Sequence, residues 1–254
     1  MKFAIIVPAR LASTRLPRKM LHEVMGKPII LWTAERIRSE APEFSLCFAV
    51  DSEILLKTLH DAGYEAIMTD HRHACGTDRI AEANRTLGAD YVINVQGDEP
   101  TVTGEQIRQL ATLIEGDVEM ATLGTPLTRE EDYLNPNHVK LVCDARGQAI
   151  YFSRAPIPYF RDSNGIFDPA AAKQCPVLIH LGLYAYRADF LESFSKLEPG
   201  RLEGLEKLEM LRAIERGYRI AVGISADFLI EIDTLEQVLE FEQFAKALHH
   251  SVLS

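Results

Sequence analysis

Residues 3–20 have the sequence Phe3-Ala4-Ile5-Ile6-Val7-Pro8-Ala9-Arg10-Leu11-Ala12-Ser13-Thr14-Arg15-Leu16-Pro17-Arg18-Lys19-Met20, an apolar run that leads into a cationic loop. The run over residues 3–7 includes β-branched residues and predicts a strand buried on both faces, ended by Pro8, which lacks the N–H that a sheet ladder needs. The loop carries four cations and no acidic residue. Ligands of open α/β sheets bind beyond the carboxyl ends of the strands, so this order predicts an anion site.

The charge of the whole chain sets this loop apart. The 27 basic and 37 acidic residues give a formal charge of −10, and because the loop contributes four positive charges, the remainder carries −14. Such a balance argues against a nucleic-acid or anionic-membrane surface. We therefore expect the loop to face a small, highly charged anion.

The size and the cysteines bound the class of protein. A chain of 254 residues suits one large α/β domain or two small ones. Its four cysteines lie far apart without a C-x-x-C pair, which favours a reduced, cytoplasmic setting over a disulfide framework or a zinc site. The first apolar run is too short for a signal peptide, and no run approaches the roughly 18 apolar residues of a membrane span, so no membrane insertion is expected.

Strands and helices alternate over roughly the first 125 residues. After the first strand, the pattern predicts a helix at 29–38, a strand at 46–50, a helix at 53–62, a strand at 65–68, a helix at 77–87, a strand at 91–95 and a helix from Thr103. In this reading Thr77 caps its helix. The alternation is typical of parallel βαβ units and predicts an α/β fold with an open, doubly wound, mostly parallel sheet.

The rhythm changes after residue 118. We predict strands at 119–126, 139–144, 149–153, 177–186 and 218–223, helices at 203–216 and 235–249, and a long irregular excursion at 154–177. Residues 144–147 predict a hairpin turn. The whole chain, 1–254, is therefore predicted to be one domain with an inserted antiparallel lobe at about 127–188.

Two groups of residues carry the predicted chemistry. Arg10, Arg15 and Lys19 are spaced by five and four, and two guanidinium forks with a lysine can bind several oxygens of a triphosphate. Asp98 follows a central strand on a glycine turn, where an α/β nucleotide enzyme would hold Mg²⁺, although a simple turn residue remains the alternative. The loop lacks the spacing of a Walker A loop and of G-x-G-x-x-G, which disfavours P-loop and nicotinamide-binding proteins.

These motifs resemble one family. Residues 10–19 are similar to the R-x-x-S-x-R-x-P-x-K signature of sugar-acid cytidylyltransferases, particularly the CMP-KDO synthetase (3-deoxy-manno-octulosonate cytidylyltransferase) family, and residues 94–100 resemble its N-V-Q-G-D-E-P run. Further stretches at 73–82, 151–158, 180–187, 205–212 and 231–236 are similar to H-x-S-G-T-[DE]-R-x-A-E, Y-F-S-R-x-x-I-P, H-x-G-x-Y-x-Y-R, L-E-x-L-E-Q-L-R and G-V-D-T-P-E-D. The chain departs from these patterns at Arg18 (usually Gly), Met20 (Pro), Cys75 (Ser), Met210 (Gln) and Glu231 (Gly).

The resemblance implies roles for particular residues. The catalytic set would be Arg10, Arg15, Lys19, Asp98 and Asp233, with Asp98 and Asp233 as Mg²⁺ ligands. The nucleotide would be bound by Pro8, Ala9, Arg10, Arg15, Lys19, Cys75, Gly76, Arg79, Gln96 and Asp98, and the sugar acid by Gln96, Arg154, His180, Tyr184 and Glu209. Asp233 is equally explained as the N-cap of the last helix.

The resemblance also implies a fold of the nucleotide-diphospho-sugar transferase type, a homodimer formed through the inserted lobe, and the conversion of CTP and KDO to CMP-KDO and pyrophosphate for lipopolysaccharide biosynthesis. The same chemistry on 8-amino-KDO or on another ulosonic or nonulosonic acid stays open, because Met210 and Cys75 change polar groups where ligands are expected. A non-catalytic nucleotide-binding protein is the weaker alternative.

Overall fold

The computed structural model describes residues 1–73, 75–175 and 177–252. Its strands are β1 Phe3–Ala9, β2 Glu23–Val24, β3 Lys27–Pro28, β4 Ser45–Val50, β5 Glu65–Met68, β6 Tyr91–Asn94, β7 Met120–Pro126, β8 Lys140–Cys143, β9 Ala149–Ser153, β10 Leu178–Arg187 and β11 Ile220–Ile224. Its helices are α1 Ile29–Glu40, α2 Glu53–Asp61, α3 Gly76–Leu87, α4 Gly104–Ile114, α5 Glu130–Leu134, α6 Pro169–Gln174, α7 Ala188–Phe194, α8 Arg201–Glu206, α9 Leu211–Glu215 and α10 Leu235–Val252, with 3₁₀ turns at Lys19–Leu21 and Arg161–Ser163. Among the described helices, none combines the length and the apolarity needed to cross a bilayer.

The chain forms two compact units, of which the first comprises residues 1–107 and 229–254. In its described part, parallel strands lie in the order β6-β1-β4-β5. All residues of β1 after Phe3 are buried, as a strand covered on both faces requires. The predicted parallel βαβ arrangement is therefore confirmed, and the carboxyl end of β1 lies at the centre of this part of the sheet.

β1 continues to Ala9, beyond the stop predicted at Pro8. Its pairing with β6 ends where Ile6 faces Asn94, whereas its pairing with β4 continues past Pro8. Pro8 therefore lies where the strand has a neighbour on one side, and a residue without an N–H is tolerated there. The cationic loop begins only at Arg10.

The capping residues of α2 and α3 explain where these two helices begin and end. The Ser52 hydroxyl accepts a hydrogen bond from the Leu55 N–H at 3.3 Å, which begins α2 as predicted. α3 begins at Gly76 with Cys75 as its N-cap, so the prediction that Thr77 caps this helix was wrong. At the other end of α3, Gly88 has a φ of 60°, the left-handed conformation that glycine favours after a helix.

The second unit, residues 108–228, contains the antiparallel strands. β11 pairs parallel with β7, β7 pairs antiparallel with β10, and β10, β8 and β9 continue antiparallel. A buried apolar cluster holds part of the predicted excursion, 154–177, against the rest of this unit. It consists of Leu127, Tyr133, Phe167, Ala172, Val177 and Ile179. The α/β class with a mostly parallel sheet and an antiparallel part is thereby confirmed.

The helix predicted at 203–216 is two short helices, α8 and α9, because Lys207 adopts a φ of 55° and ends the first of them. The Glu206 carboxylate accepts hydrogen bonds from the Ser153 hydroxyl at 2.7 Å and the Arg154 N–H at 2.9 Å. These bonds join segments more than fifty residues apart. The amphipathic period of the sequence contains no sign of them.

Gly88 provides a test of the backbone conformation at the end of α3. Within the described part of the chain, and leaving out Gly88 and its neighbours in sequence, no heavy atom lies within 4 Å of the position of an added Cβ, so a substitution there acts through the backbone. We expect Gly88→Ala to lower the free energy of unfolding by about 1 kcal/mol. Gly204→Ala, at an equally open position inside α8, is the control and should raise it by up to about 1 kcal/mol. Urea denaturation measures both changes, and a Gly88→Ala variant as stable as the parent would contradict the assignment.

Candidate functional site

A pocket of about 280 Å³ lies at the carboxyl end of β1, within the first unit. It brings together all residues predicted for the nucleotide and the metal, namely Pro8, Ala9, Arg10, Arg15, Lys19, Cys75, Gly76, Arg79, Gln96, Asp98 and Asp233. Its lining also includes six residues that the sequence did not predict for the site: Ala12, Ser13, Thr14, Met20, His73 and Glu231. The pocket is therefore strongly polar and contains charges of both signs.

Lys19 is the centre of the charged groups in this pocket. Its ammonium donates hydrogen bonds to Asp98 and, at 2.7 Å, to Oδ1 of Asp233, although only 10% of its side chain is exposed. Arg15 contacts the other oxygen of Asp233 at 2.5 Å. Burial alone would lower the pKa of Lys19, but the charges and hydrogen bonds of Asp98 and Asp233 outweigh it and raise this pKa above 10.5. Lys19 is thus positively charged at neutral pH.

The loop and the turn after β6 approach closely to form this contact. An added Cβ at Gly97 would lie 3.0 Å from Sδ of Met20, so a larger residue at Gly97 would push against the Met20 side chain, which follows Lys19 in the 3₁₀ turn. Thr33 of α1 donates a hydrogen bond to the Gly97 carbonyl at 2.9 Å and fixes the turn from the other side. Arg18 has a φ of 53°, a conformation that favours glycine, which is the residue usual at this place in the signature.

The segment before α10 is held against the same turn. The Ile232 N–H donates to the Asp98 carbonyl at 3.0 Å, and Ile232 is fully buried in the apolar core. Thr234 and Gln237 cap α10 reciprocally: the Thr234 hydroxyl accepts a hydrogen bond from the Gln237 N–H at 3.4 Å, and Oε1 of Gln237 accepts one from the Thr234 N–H at 3.0 Å. The alternative role of Asp233 as the N-cap is therefore wrong, and its carboxylate is directed to Lys19 and Arg15.

Asp98, Asp233 and Glu231 form a cluster that has the donor set of a metal site. One carboxylate oxygen of each lies within 4.8 Å of the others. Oxygen ligands at such separations suit a hard divalent cation, so the residues fit a magnesium ion by the chemistry of the donors. By the resemblance, Glu231 is only a departure from the family pattern and is not a predicted ligand. Its position two residues before Asp233 was the available signal, since alternate residues of an extended segment share one side.

The ionisation of Glu231 follows from this cluster. The residue as a whole is exposed, but its carboxyl group lies within 4.8 Å of those of Asp98 and Asp233. The desolvation of its carboxyl group and the negative charges of Asp98 and Asp233 raise the pKa of Glu231 above its ordinary value. The positive charge of Lys19 opposes this rise. The cluster therefore disfavours three simultaneous negative charges.

Arg79, on α3, contributes a second buried cation to the pocket. Only 3% of the residue is exposed. Its Nη1 donates to the Thr69 hydroxyl at 2.6 Å, and its Nη2 lies 3.6 Å from Oδ2 of Asp51. The first turn of α3 packs against β1, where an added Cβ at Gly76 would be 3.3 Å from Cγ of Pro8. The pocket thus has one wall of loop cations and another formed by the start of α3.

The remaining predicted residues lie in the second unit. Arg154 donates from Nε to the Glu206 carbonyl at 2.8 Å and from Nη1 to the Pro136 carbonyl at 3.0 Å. Glu209 precedes α9, and its carboxylate lies 3.8 Å from Nη2 of Arg212. The structure brings His180 and Tyr184 together on β10, with ring centroids 5.2 Å apart.

The hydrogen bonds of His180 fix its tautomer. The Thr122 hydroxyl donates its hydrogen to the Leu183 carbonyl at 2.7 Å, so towards Nε2 of His180, at 3.0 Å, it can only accept. The hydrogen of the neutral ring is therefore on Nε2, and Nδ1 is an acceptor. Burial lowers the pKa of His180 to about 3, which keeps the ring neutral at physiological pH.

Comparison with known proteins gives similarities along almost the whole chain. A family model described as Cytidylyltransferase matches residues 4–220. The chain is 46% identical, over 94% of each sequence, to a 3-deoxy-manno-octulosonate cytidylyltransferase of Syntrophobacter fumaroxidans, and 41% identical, over 94% of this chain and 96% of the relative, to an 8-amino-3,8-dideoxy-manno-octulosonate cytidylyltransferase of Shewanella woodyi. The solved structure of a CMP:2-keto-3-deoxy-manno-octonic acid synthetase complexed with CTP is similar with a TM-score of 0.88 and 33% identity, over 97% of this chain and 99% of the other.

The low pKa of His180 predicts part of the pH dependence of stability. As the pH falls below 6.5, the unfolded chain takes up a proton at this residue, whereas the folded protein does not until about pH 3. Each pH unit in this window costs about 1.4 kcal/mol. Between pH 6.5 and pH 5, the free energy of unfolding of the parent should therefore decrease by about 2 kcal/mol more than that of His180→Gln, which has no imidazole at this position.

Urea denaturation at a series of pH values measures this difference. His71→Gln is the control, because the His71 side chain is 80% exposed, and it should keep the slope of the parent. If the free energy of unfolding of His180→Gln changed with pH as it does in the parent, the pKa of His180 would be the same in the folded and the unfolded protein, which would contradict the prediction.

Proposed function

The chain belongs to the cytidylyltransferase family, and from this membership we propose that it transfers the cytidylyl group of CTP to 3-deoxy-manno-octulosonate (KDO), giving CMP-KDO and pyrophosphate. The observation that carries this proposal is the pocket in which Lys19 and Arg15 meet Asp98 and Asp233. The relatives named above support the choice of nucleotide and sugar acid. We place the reaction in the cytoplasm, as a step that supplies lipopolysaccharide biosynthesis.

The cations of the pocket suit the triphosphate of CTP. Arg10, Arg15 and Lys19 all line it, and guanidinium forks can each bind two phosphate oxygens. The ammonium of Lys19 is already held in place by two carboxylates, so little conformational freedom is lost when a phosphate oxygen becomes a further partner. In this proposal these three residues also stabilise the charge of the leaving pyrophosphate.

The proposed reaction needs positioning and charge neutralisation. The anomeric hydroxyl of the sugar acid attacks the α-phosphorus, the new oxygen–phosphorus bond forms, the bond to the bridging oxygen breaks, and the hydroxyl proton is released. Holding the two reactants in line and offsetting the developing charge supplies most of the acceleration in such transfers.

We further propose that Asp98 and Asp233 hold Mg²⁺, with Glu231 as a third oxygen donor. The distances within this cluster and its all-oxygen donor set support a hard divalent cation. When bound, such an ion lowers the pKa of a coordinated hydroxyl and offsets charge on phosphate oxygens. Lys19 contacts two of these carboxylates and would balance their charge as ligands enter and leave.

The residues proposed for the sugar acid are those that the resemblance implies: Gln96, Arg154, His180, Tyr184 and Glu209. The acceptor nitrogen Nδ1 of His180 suits a hydroxyl or an amino group of the sugar. This chemistry leaves both KDO and its 8-amino analogue as acceptors, and a relative named for each is similar to the chain.

The substrate is tested by a matrix of pyrophosphate-release assays. CTP, UTP, ATP and GTP are each combined with KDO, 8-amino-KDO and neuraminate, with and without Mg²⁺. We expect release with CTP and KDO in the presence of Mg²⁺. Faster pyrophosphate release with 8-amino-KDO than with KDO would identify 8-amino-KDO as the acceptor. Binding of CTP without pyrophosphate release with any of the acids would identify a non-catalytic nucleotide-binding protein.

We also propose that the chain acts as one nucleotidyltransferase domain, 1–254, and that its antiparallel lobe, at about 127–188, forms a homodimer. Large apolar side chains are exposed in this lobe: Leu134 (57%), Ile150 (55%), Tyr159 (68%) and Ile166 (60%). A contiguous exposed apolar patch marks a protein interface, and the proposal takes these side chains as part of one. Light scattering after size exclusion tests this proposal, and a monomer at micromolar concentration would refute it.

Asp98→Asn tests the role of the carboxylate after β6. The substitution keeps the size of the side chain, so the fold should persist, but it removes the negative charge that Lys19 and the metal need. We expect turnover to fall by at least about a hundredfold. Asp117→Asn, at a surface carboxylate paired with Arg219, is the control and should keep normal turnover. Near-normal activity of Asp98→Asn in saturating Mg²⁺ would refute the assignment.

Glu231→Gly tests the third oxygen donor. The change restores the residue usual in the family and removes one carboxylate from the cluster. We expect the Mg²⁺ concentration for half-maximal activity to rise several-fold, because fewer charged ligands lower the affinity of a metal site. An unchanged or lower Mg²⁺ requirement would show that Glu231 does not contribute to binding.

A further inference from the structure

Asp51 joins two walls of the candidate pocket, although it does not line that pocket itself. It is the first residue after β4, and only 13% of its side chain is exposed. Its Oδ1 accepts a hydrogen bond from the backbone N–H of Leu11 at 2.8 Å. Its Oδ2 lies 3.6 Å from Nη2 of Arg79. One carboxylate therefore contacts the start of the cationic loop and the buried cation of α3.

The first part of the cationic loop, residues 10–14, is less firmly held than the part that carries Arg15 and Lys19, which contact Asp98 and Asp233. Residues 12–14 line the candidate pocket on one side and a second cavity, which Asp51 also lines, on the other. Open space on both faces leaves these residues little packing. The loop is anchored at its far end by Leu16, which is 6% exposed in the core. The bond from Leu11 to Asp51 is the corresponding anchor at its near end, directly after Arg10.

Asp51 is also a counter-charge for two arginines of like sign. Burial and the positive charge of Arg10 both lower the pKa of Arg79, whereas Asp51 raises it. Arg10 and Arg79 both line the candidate pocket. Glu82 and Asp70 also raise the pKa of Arg79, but Asp51 has the largest effect of the three, and among the hydrogen bonds of the described residues it alone of them accepts one from the loop. Loss of its charge would strengthen the repulsion between Arg10 and Arg79 and favour moving the loop away from the helix.

We propose that Asp51 is a positioning residue that couples two parts of the nucleotide site: the loop, whose cations would hold the triphosphate, and Arg79, which in this proposal contacts the nucleoside of CTP. This inference rests on the proposed binding of CTP. Through its bond to Leu11, Asp51 sets where the loop cations lie, and through its charge it sets the orientation of the Arg79 guanidinium. Each contact acts on a different part of CTP.

Two substitutions separate the two contacts. Asp51→Asn keeps an oxygen that accepts from Leu11 but loses the charge that faces Arg79. Asp51→Ala loses both. Because both variants are neutral at this position, the difference between them isolates the bond to the loop. Asp61→Asn, at an exposed carboxylate of α2 paired with Lys57, is the control.

Isothermal titration with CTP, CMP and pyrophosphate measures the coupling. We expect CMP to bind about tenfold more weakly to both Asp51 variants than to the parent, and pyrophosphate to bind about tenfold more weakly to Asp51→Ala than to Asp51→Asn. In turnover assays, the KM for CTP should rise in both variants while the KM for the sugar acid stays constant. Asp61→Asn should match the parent throughout.

The outcomes distinguish this inference from the proposed function. If the parent protein binds no CTP, the proposed function fails. If the parent binds CTP but the two Asp51 variants hold CMP and pyrophosphate as tightly as the parent, the coupling role is refuted. Equal losses for all ligands that merely follow the fraction of folded protein, measured by circular dichroism, would refute it as well.

Discussion

The buried ammonium of Lys19 between Asp98 and Asp233 is the interaction on which the rest of the site depends. Lys19 is separated from Asp98 by 79 positions in the chain and from Asp233 by 214 positions. About a tenth of each of the three side chains is exposed. A buried charge is tolerated only when it is paired, and removing one partner leaves the others uncompensated. The loop after β1, the turn after β6 and the segment before α10 must therefore be in place together.

The local structure around this contact serves the same end. Gly97 gives Met20 room to approach, and Thr234 with Gln237 caps α10 so that the Asp233 carboxylate is free for the pocket. Burial of Ile232 in the core directs its neighbours Glu231 and Asp233 to the opposite side. The result is a pre-organised set of cations and carboxylates, which is what charge neutralisation in a phosphoryl-type transfer requires.

Much of this arrangement could be predicted from the sequence. The apolar runs at β1, β4, β5 and β6 were enough to predict the parallel sheet. Because ligands bind at the carboxyl ends of parallel strands, these runs also predicted that the loop and Asp98 line one site, as they do in the pocket. What could not be predicted depends on contacts distant in sequence. β1 continues through Pro8 because its pairing with β6 ends at Ile6. The helical period breaks at Lys207, next to Glu206, whose carboxylate bonds to Ser153 and Arg154 more than fifty residues away.

The most direct test of the account is a crystal structure of the protein with a non-hydrolysable CTP analogue and Mn²⁺, in which the anomalous signal locates the metal. We expect a peak beside the carboxylates of Asp98 and Asp233, with the triphosphate against Arg10, Arg15 and Lys19. A metal peak elsewhere on the chain, or a triphosphate bound away from the loop with the contacts of Lys19 unchanged, would contradict it.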